Sequence, residues 1–160
     1  MTRREGVDLR AKLLATTPSD VNIKPSQQLP HVWAALLDIG TATGSATVAV
    51  VADGTVSMYT NTGGGMIGAG QHQVIHMPAA RFLKTVEAIH GSLDVVADAP
   101  LPGAGEAAVV ALTYDGMRRA LVELRLLSAK APFARAWVAG QDLITALREL
   151  QASLEKKSAG

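Results

Sequence analysis

The sequence lacks cysteine, is poor in aromatic residues and carries almost no excess charge of either sign. Without cysteine it has no disulfide, thiol nucleophile or thiolate metal site, and its composition suits a reducing compartment. Aromatic residues make up 4% of the 160 residues, so a surface that stacks the bases of single-stranded nucleic acid is not indicated. A formal net charge of +1 attracts no polyanion, and nucleic acid is therefore not an expected partner.

Long apolar runs are also missing from the chain. Residues 1–17 are basic but contain no apolar stretch of the kind found in a signal peptide. No run approaches the roughly 18 apolar residues that indicate a transmembrane helix. We therefore expect a cytoplasmic protein with no membrane partner. Apolar residues nevertheless form 48% of the sequence, which is enough to build a core from Ala, Val, Leu and Ile.

Hydrophobic periodicity predicts the α+β class. A short helix at residues 7–16 is followed by a proline-rich arm, and helices are predicted again at 78–98 and 133–157. Between them lie short strand-like runs, with hairpin signals at Asp53–Gly54 and Asp115–Gly116. Asp-Gly is the dipeptide that a two-residue type I′ turn favours, and we predict such a turn at Asp53–Gly54.

The resulting order, α-β-β-β-α-β-β-α, predicts a two-layer α+β domain. Its antiparallel sheet has about five strands, and the helices are expected to pack on one face. The strands around the first hairpin alternate apolar and polar residues, as expected for an antiparallel sheet with one face on a core. We assign residues 1–30 to an N-terminal helix and arm, and residues 31–158 to a single α+β domain.

The glycine-rich segment 60–73, TNTGGGMIGAGQHQ, most invites a functional interpretation. Gly63, Gly65 and Gly68 match the dinucleotide fingerprint G-x-G-x-x-G, but the preceding strand is the far arm of an antiparallel hairpin. A helix is predicted to begin near Met77, so no helix N-terminus directly follows the glycines to receive a phosphate. We interpret the glycines as a flexible or closely approaching backbone segment at a sheet edge, and we expect no cofactor.

Residues able to carry catalysis or hold a metal form no recognisable motif. His72 and His76 are four positions apart, but Gln73 stands where a zinc-protease helix needs glutamate. Ser45 lacks the G-x-S-x-G elbow of a hydrolase nucleophile. The residues favour a non-enzymatic protein, with no catalytic, cofactor-binding or metal site assigned. A triad assembled from distant residues stays open, because triads are set by geometry.

The candidate interface is the predicted sheet edge that contains VSMYTNT, residues 56–62. This run carries no charge, and an unprotected edge strand invites pairing with another chain. Met66 and Ile67 have no evident partner within the chain. We therefore predict a homodimer, with residues 55–70 at or near its interface. The candidate interface and loop residues are Tyr59, Gly63, Gly64, Gly65, Met66, Ile67 and Gly68.

The segment from Val32 to Gly116 resembles an uncharacterised family of small bacterial proteins with no assigned activity. The resemblance is carried by ADGTVSMYTNTGGG, IGAG and LTYDG. The element order is similar to that of type III secretion chaperones, of YbjN-like proteins and of roadblock-like adaptors. It implies a homodimeric adaptor or chaperone-like domain that binds another protein without catalysis. The alternative is a small enzyme or ligand-binding domain with a pocket beside the glycine-rich loop 62–72.

Overall fold

The computed structural model of the protein describes residues 3–61 and 64–159, with side chains from Asp8 onward. Residues 1 and 2 of the predicted N-terminal helix and arm lie outside the described residues. Over the described ranges, no helix combines the length and apolarity needed to cross a membrane. The helices and strands are α1 (Arg3–Ala15), β1 (Val32–Thr41), β2 (Gly44–Val51), β3 (Val56–Thr60), β4 (Gly65–Met66), α2 (Gln73–Ile89), β5 (Asp94–Val96), β6 (Glu106–Thr113), β7 (Gly116–Glu123) and α3 (Pro132–Ala159).

The seven strands form one sheet in which all neighbours are antiparallel. Their order across the sheet is β4-β3-β2-β1-β6-β7-β5. This confirms the predicted α+β class with helices packed on an antiparallel sheet. The strands beyond the expected five, β4 and β5, contain only two and three residues. Strands this short cannot display the alternation by which a sequence indicates a strand.

Both Asp-Gly dipeptides lie at hairpin connections, which confirms the two predicted hairpins. The predicted type I′ turn at Asp53–Gly54 is wrong. Gly54 has a φ of +95°, but among the described non-glycine residues only Asn22 has a positive φ. A type I′ turn needs positive φ at both central residues. The backbone N–H of Gly54 donates to the carbonyl of Val51 at 2.9 Å, and the Asp53 carboxylate accepts the backbone N–H of Thr55 at 2.9 Å, so the turn is held by a backbone and a side-chain hydrogen bond.

The helix after the glycine-rich segment differs from the prediction at both ends. α2 already begins at Gln73, and Pro78 lies inside it rather than in its first turn. The turn before the proline is stabilised by Ile75, which is fully buried. At the other end α2 stops at Ile89, and the chain enters β5, so Leu93 does not continue the helical stripe.

The helices cover both faces of the sheet, whereas the sequence predicted one. α2 and α3 pack together on one face, where their core includes Phe82 and Leu143. α1 lies on the opposite face, where Leu13 and Leu14 pack against a cluster that contains Leu36. The strand β1 explains this arrangement, because its side chains alternate between the two clusters and nearly all are buried. A strand buried on both sides needs cover on both faces.

Candidate functional site

The glycine-rich segment covers the free edge of β3. β4 pairs with β3, with Met66 opposite Met58 and Gly65 opposite Tyr59. The next residues, Ala69–Gln71, form a short 3-10 turn that leads into α2. The chain therefore protects the edge of β3 with its own backbone, and β4 becomes the outermost strand on this side of the sheet.

Two glycines of this segment allow backbones to approach each other. A Cβ atom on Gly65 would clash with the carbonyl oxygen of Met58, and one on Gly70 would clash with that of Gly54. Gly65 also has a φ of +149°, which side-chain-bearing residues rarely adopt. These contacts confirm close backbone approach at Gly65 and Gly70, whereas Gly64 and Gly68 have no backbone atom close to where a Cβ would lie.

Two of the predicted interface side chains pack within their own chain, and one is exposed to solvent. Tyr59 is buried on the face that α1 covers. Met66 packs, partly buried, against the core beneath α2 and α3, so the expectation that it has no partner within the chain is wrong. Ile67, in contrast, is exposed. The remaining members are glycines: Gly64, Gly65 and Gly68 have positive φ, and Gly63 lies outside the described residues.

Three large apolar side chains are exposed in the glycine-rich segment and the first turns of α2. Ile67, Val74 and Met77 are 62%, 66% and 73% exposed. Val74 and Met77 lie one turn apart on α2 and so share a helix face, while Ile67 directly follows β4. We call Ile67, Val74 and Met77 the edge patch. Clusters of exposed apolar side chains are typical of surfaces that another molecule covers.

A depression of about 500 Å³ lies beside the same segment. Nε2 of His76 lies 2.8 Å from the carbonyl oxygen of Gly70, and the loop therefore holds this imidazole as a donor. The depression lies where the alternative function expects a ligand pocket. Its lining residues are Asp53, Gly54, Thr55, Gly68, Gly70, Gln71 and His76.

An ion pair is buried beneath α1. Arg10 Nε donates to Asp38 Oδ1 at 3.0 Å and its Nη2 donates to Oδ2 at 2.6 Å, a two-bond geometry that is specific to arginine and carboxylate. The Thr47 hydroxyl donates to Oδ1 at 2.6 Å, and Arg10 Nη2 also donates to the Ala99 carbonyl at 2.7 Å. Each carboxylate oxygen therefore has a partner. Arg10 is a residue of α1, and its guanidinium binds this helix to Asp38 on β1 and to the carbonyl of Ala99 in a loop.

Tyr59 lies in the same cross-strand row as Asp38 and Thr47. Burial raises the pKa of its phenol, the charge of Asp38 raises it further, and the charge of Arg10 opposes that rise. A charged residue inside the apolar run of β1 was the signal that could have revealed this network, since a buried carboxylate requires a partner. The sequence does not show which of the basic residues supplies it.

A second polar cluster joins the end of α2 to the start of β1. Glu87 Oε1 accepts the backbone N–H groups of His31 and Val32 at 2.7 and 3.0 Å. Glu87 Oε2 lies 3.1 Å from Nδ1 of His31 and 3.3 Å from Nδ1 of His90. The two imidazole rings stack with their centroids 4.4 Å apart. Burial acts to raise the pKa of Glu87, but the hydrogen bonds from His31 and Val32 outweigh it and lower that pKa.

The sequence drew attention to a different pair of histidines. His72 precedes α2 with an extended backbone, so it does not share a helical face with His76. The pair that does meet is His31 and His90, which are far apart in the sequence. The packing of α2 on the sheet, which brings the end of α2 to the start of β1, places them together.

Comparison with protein-family models, with curated proteins and with solved structures finds no match to this chain. The resemblance to the bacterial family and to the secretion chaperones therefore stays a prediction from sequence. Four features of the molecule bear on its function: the edge patch, the depression beside the glycine-rich segment, the buried network under α1, and the His31–Glu87–His90 cluster.

Proposed function

We propose that this protein is a cytoplasmic, non-enzymatic protein-binding domain of an adaptor or chaperone-like kind, and that it forms a homodimer through the edge patch. The observation that carries the proposal is the exposure of Ile67, Val74 and Met77 in the part of the chain that directly follows β4, the outermost strand of the sheet. Apolar surface in contact with water costs about 25 cal/mol per Å², so covering this patch is favourable. A second copy of the chain carries the complementary surface.

The outer backbone of β4 supports the same arrangement. β4 ends the sheet on this side and offers unpaired positions along its two residues. A two-fold axis beside β4 would bring each edge patch against its own copy, since such a contact uses the same surface twice. The proposed interface differs from the predicted range 55–70 in its members. Tyr59 and Met66 are left out because they pack against their own chain, and Val74 and Met77 join Ile67.

The pairing of the buried charges with each other favours a binding function over a catalytic one. Arg10 and Asp38 bind each other, and both are sealed from solvent beneath α1. A catalytic acid or base must be within hydrogen-bond reach of the substrate. The strongest electrostatic feature of the core therefore serves the attachment of α1.

Light scattering coupled to size exclusion tests the homodimer. We expect the mass of two chains at tens of micromolar protein, and the mass of one chain for Met77→Glu, because a charge at the interface centre must lose its hydration. Val95→Glu is the matched control, since Val95 on β5 is also 73% exposed but lies at the opposite edge of the sheet. A wild-type mass of one chain, or a dimer insensitive to Met77→Glu and Ile67→Glu, would contradict the proposal.

A second candidate function is ligand binding in the depression beside the glycine-rich loop. The observation that favours it is the cavity of about 500 Å³, within the range of small-molecule sites. Calorimetric titration with NAD, ATP and GTP distinguishes the candidates. We expect no binding tighter than millimolar, because α2 does not directly follow a parallel strand and turn. Micromolar binding that is lost in His76→Ala would instead establish the depression as the functional site.

A further inference from the structure

We propose that His31, Glu87 and His90 form a binding site for a divalent transition-metal ion of the zinc class. The ligand atoms that these residues offer all lie within 4.8 Å of one another. Two imidazole nitrogens and one carboxylate oxygen are a donor set that zinc uses, and they leave a fourth tetrahedral position for water. The site shares no residue with the edge patch and is independent of the proposed dimer.

The separations of the ligand atoms fit a tetrahedral ion. Glu87 Oε2 lies 3.1 Å from His31 Nδ1 and 3.3 Å from His90 Nδ1. With metal–ligand bonds of about 2.0–2.1 Å, neighbouring ligands of a tetrahedral zinc ion lie about 3.4 Å apart. The two imidazoles offer ligand atoms within 4.8 Å of each other, so the rings rotate toward each other when an ion binds between them.

Glu87 is positioned by contacts that metal binding leaves intact. Its Oε1 accepts the backbone N–H groups of His31 and Val32, so the carboxylate presents Oε2 to the two imidazoles. The backbone of His31 is held in turn, because its carbonyl accepts the N–H of Tyr114 at 3.1 Å. Ligands oriented by such surrounding hydrogen bonds lose less freedom when the ion binds.

Charge and access both permit a cation to bind. Two neutral imidazoles and one carboxylate give the site a single negative charge. The side chains of His31, His90 and Glu87 are 53%, 22% and 11% exposed, so an ion would enter past His31 and meet Glu87 at the base. The opposing charge is Arg118, whose guanidinium donates to the carbonyls of His90 and Leu93 at 3.5 and 3.3 Å. Its proximity limits the expected affinity.

Binding of the ion requires the other tautomer of His90. Nδ1 of His90 lies 2.7 Å from the carbonyl oxygen of Glu87, and it donates this hydrogen bond because a carbonyl only accepts. An ion bound to Nδ1 takes the place of that proton. The ring takes up a proton from solvent at Nε2 as it rotates toward Oε2, so the imidazole stays neutral and no net proton is released.

Calorimetric titration of the untagged full chain with zinc chloride at neutral pH tests the site. We expect one ion per chain with a micromolar dissociation constant, weakened at least about tenfold in His31→Ala, the loss typical of a removed metal contact. His31→Ala is the informative variant, because its backbone N–H to Glu87 survives and the fold is retained. Cobalt chloride gives a second readout, since a tetrahedral cobalt site absorbs visible light strongly.

The double variant His72→Ala/His76→Ala is the matched control. It removes histidines from the other end of α2 and should bind zinc and cobalt as the wild type does. The absence of saturable zinc binding by the wild type would overturn the proposal. So would equal weakening in His31→Ala and in the control, which would indicate adventitious binding by surface imidazoles.

Discussion

The two faces of the sheet are held by different forces. Beneath α2 and α3 the core is wholly apolar at its centre, where Phe82 and Leu143 are fully buried. Beneath α1 the apolar cluster is smaller, and the Arg10–Asp38 ion pair lies buried next to it. Packing on the first face is non-directional and follows the area removed from water. Attachment of α1 depends instead on two charges that must meet in one geometry.

The contrast shows why a largely polar helix can dock on a sheet. Among the side chains of α1 that the structure describes, from Asp8 onward, Leu13 and Leu14 pack against the second core. A buried ion pair adds little net stability compared with apolar residues of the same size, but removing one partner is costly. The pair therefore specifies where α1 binds, while apolar packing supplies most of the free energy of folding.

The largest effect is expected on the apolar face. Phe82→Ala removes a ring that is fully buried between α2, α3 and β1 and leaves a cavity, which should lower the free energy of unfolding by about 3–5 kcal/mol. Urea denaturation followed by circular dichroism measures this loss. Val138→Ala on α3, where the side chain is exposed, is the control and should change stability little. A loss below about 1 kcal/mol for Phe82→Ala would contradict the assigned core.

The next effect is expected under α1. Arg10→Met leaves the Asp38 carboxylate buried with only Thr47 as a side-chain partner, which should cost about 3 kcal/mol. The loss is limited because α1 can detach and admit water to Asp38. Hydrogen exchange should therefore increase in α1 before it increases in α2.

A double variant sharpens this comparison between the faces. Arg10→Met combined with Asp38→Leu removes both charges and should recover most of the lost stability, since an apolar pair can replace a buried ion pair. If Arg10→Met and the double variant are equally destabilised, the ion pair is not what attaches α1. Urea denaturation of the two variants beside the wild type decides between these outcomes.

A smaller loss of stability is expected at the Asp53–Gly54 turn, which belongs to neither face of the sheet. Gly54 has a φ of +95° and open space where a Cβ would lie, so a substitution there adds backbone strain without a steric clash. Gly54→Val should cost about 1–2 kcal/mol, because a β-branched residue disfavours positive φ. Thermal denaturation measures this cost. Thr55→Val is a control beside it, and an unchanged melting temperature for Gly54→Val would contradict the turn geometry.

The smallest effect is a pH dependence where α2 meets β1. The pKa of Glu87 is lowered in the folded protein relative to the usual value of 4.5. Its contribution is thus fully present above pH 4.5 and is lost as the pH falls through the folded-state pKa. Glu87→Gln should flatten the acid side of the stability–pH profile, whereas Glu155→Gln, exposed on α3, should leave it unchanged. Parallel profiles for both variants would exclude Glu87 as the source.

The hairpins at Asp53 and Asp115 could be predicted because their signals are local. Alternation and turn residues act on neighbouring positions, and the same neighbours are paired in the sheet. The bounds of α2 could not be predicted, because the burial of Ile75 extends the helix upstream of a proline. The strands β4 and β5 were missed because pairing with a longer neighbour, and no pattern of their own, makes them strands.

The features of the candidate sites were likewise predicted only in part. The glycine-rich segment was visible in the sequence, and its role as closely packed edge backbone followed from the antiparallel hairpin before it. The exposure of Val74 and Met77, the inward turn of Met66 and the meeting of His31 with His90 were not visible. Each of these depends on how α2 lies against the sheet, which no short-range pattern encodes.

By itself the sequence determined the fold class, the hairpins and the apolar composition of the core, because these follow from periodicity and turn chemistry over a few residues. The tertiary structure alone decided that α1 covers the second face, that Arg10 neutralises Asp38, and that Glu87 lies between two histidines. Such contacts join residues far apart in the chain. The packing of whole helices and strands brings these partners together, so a pattern over neighbouring residues does not predict them.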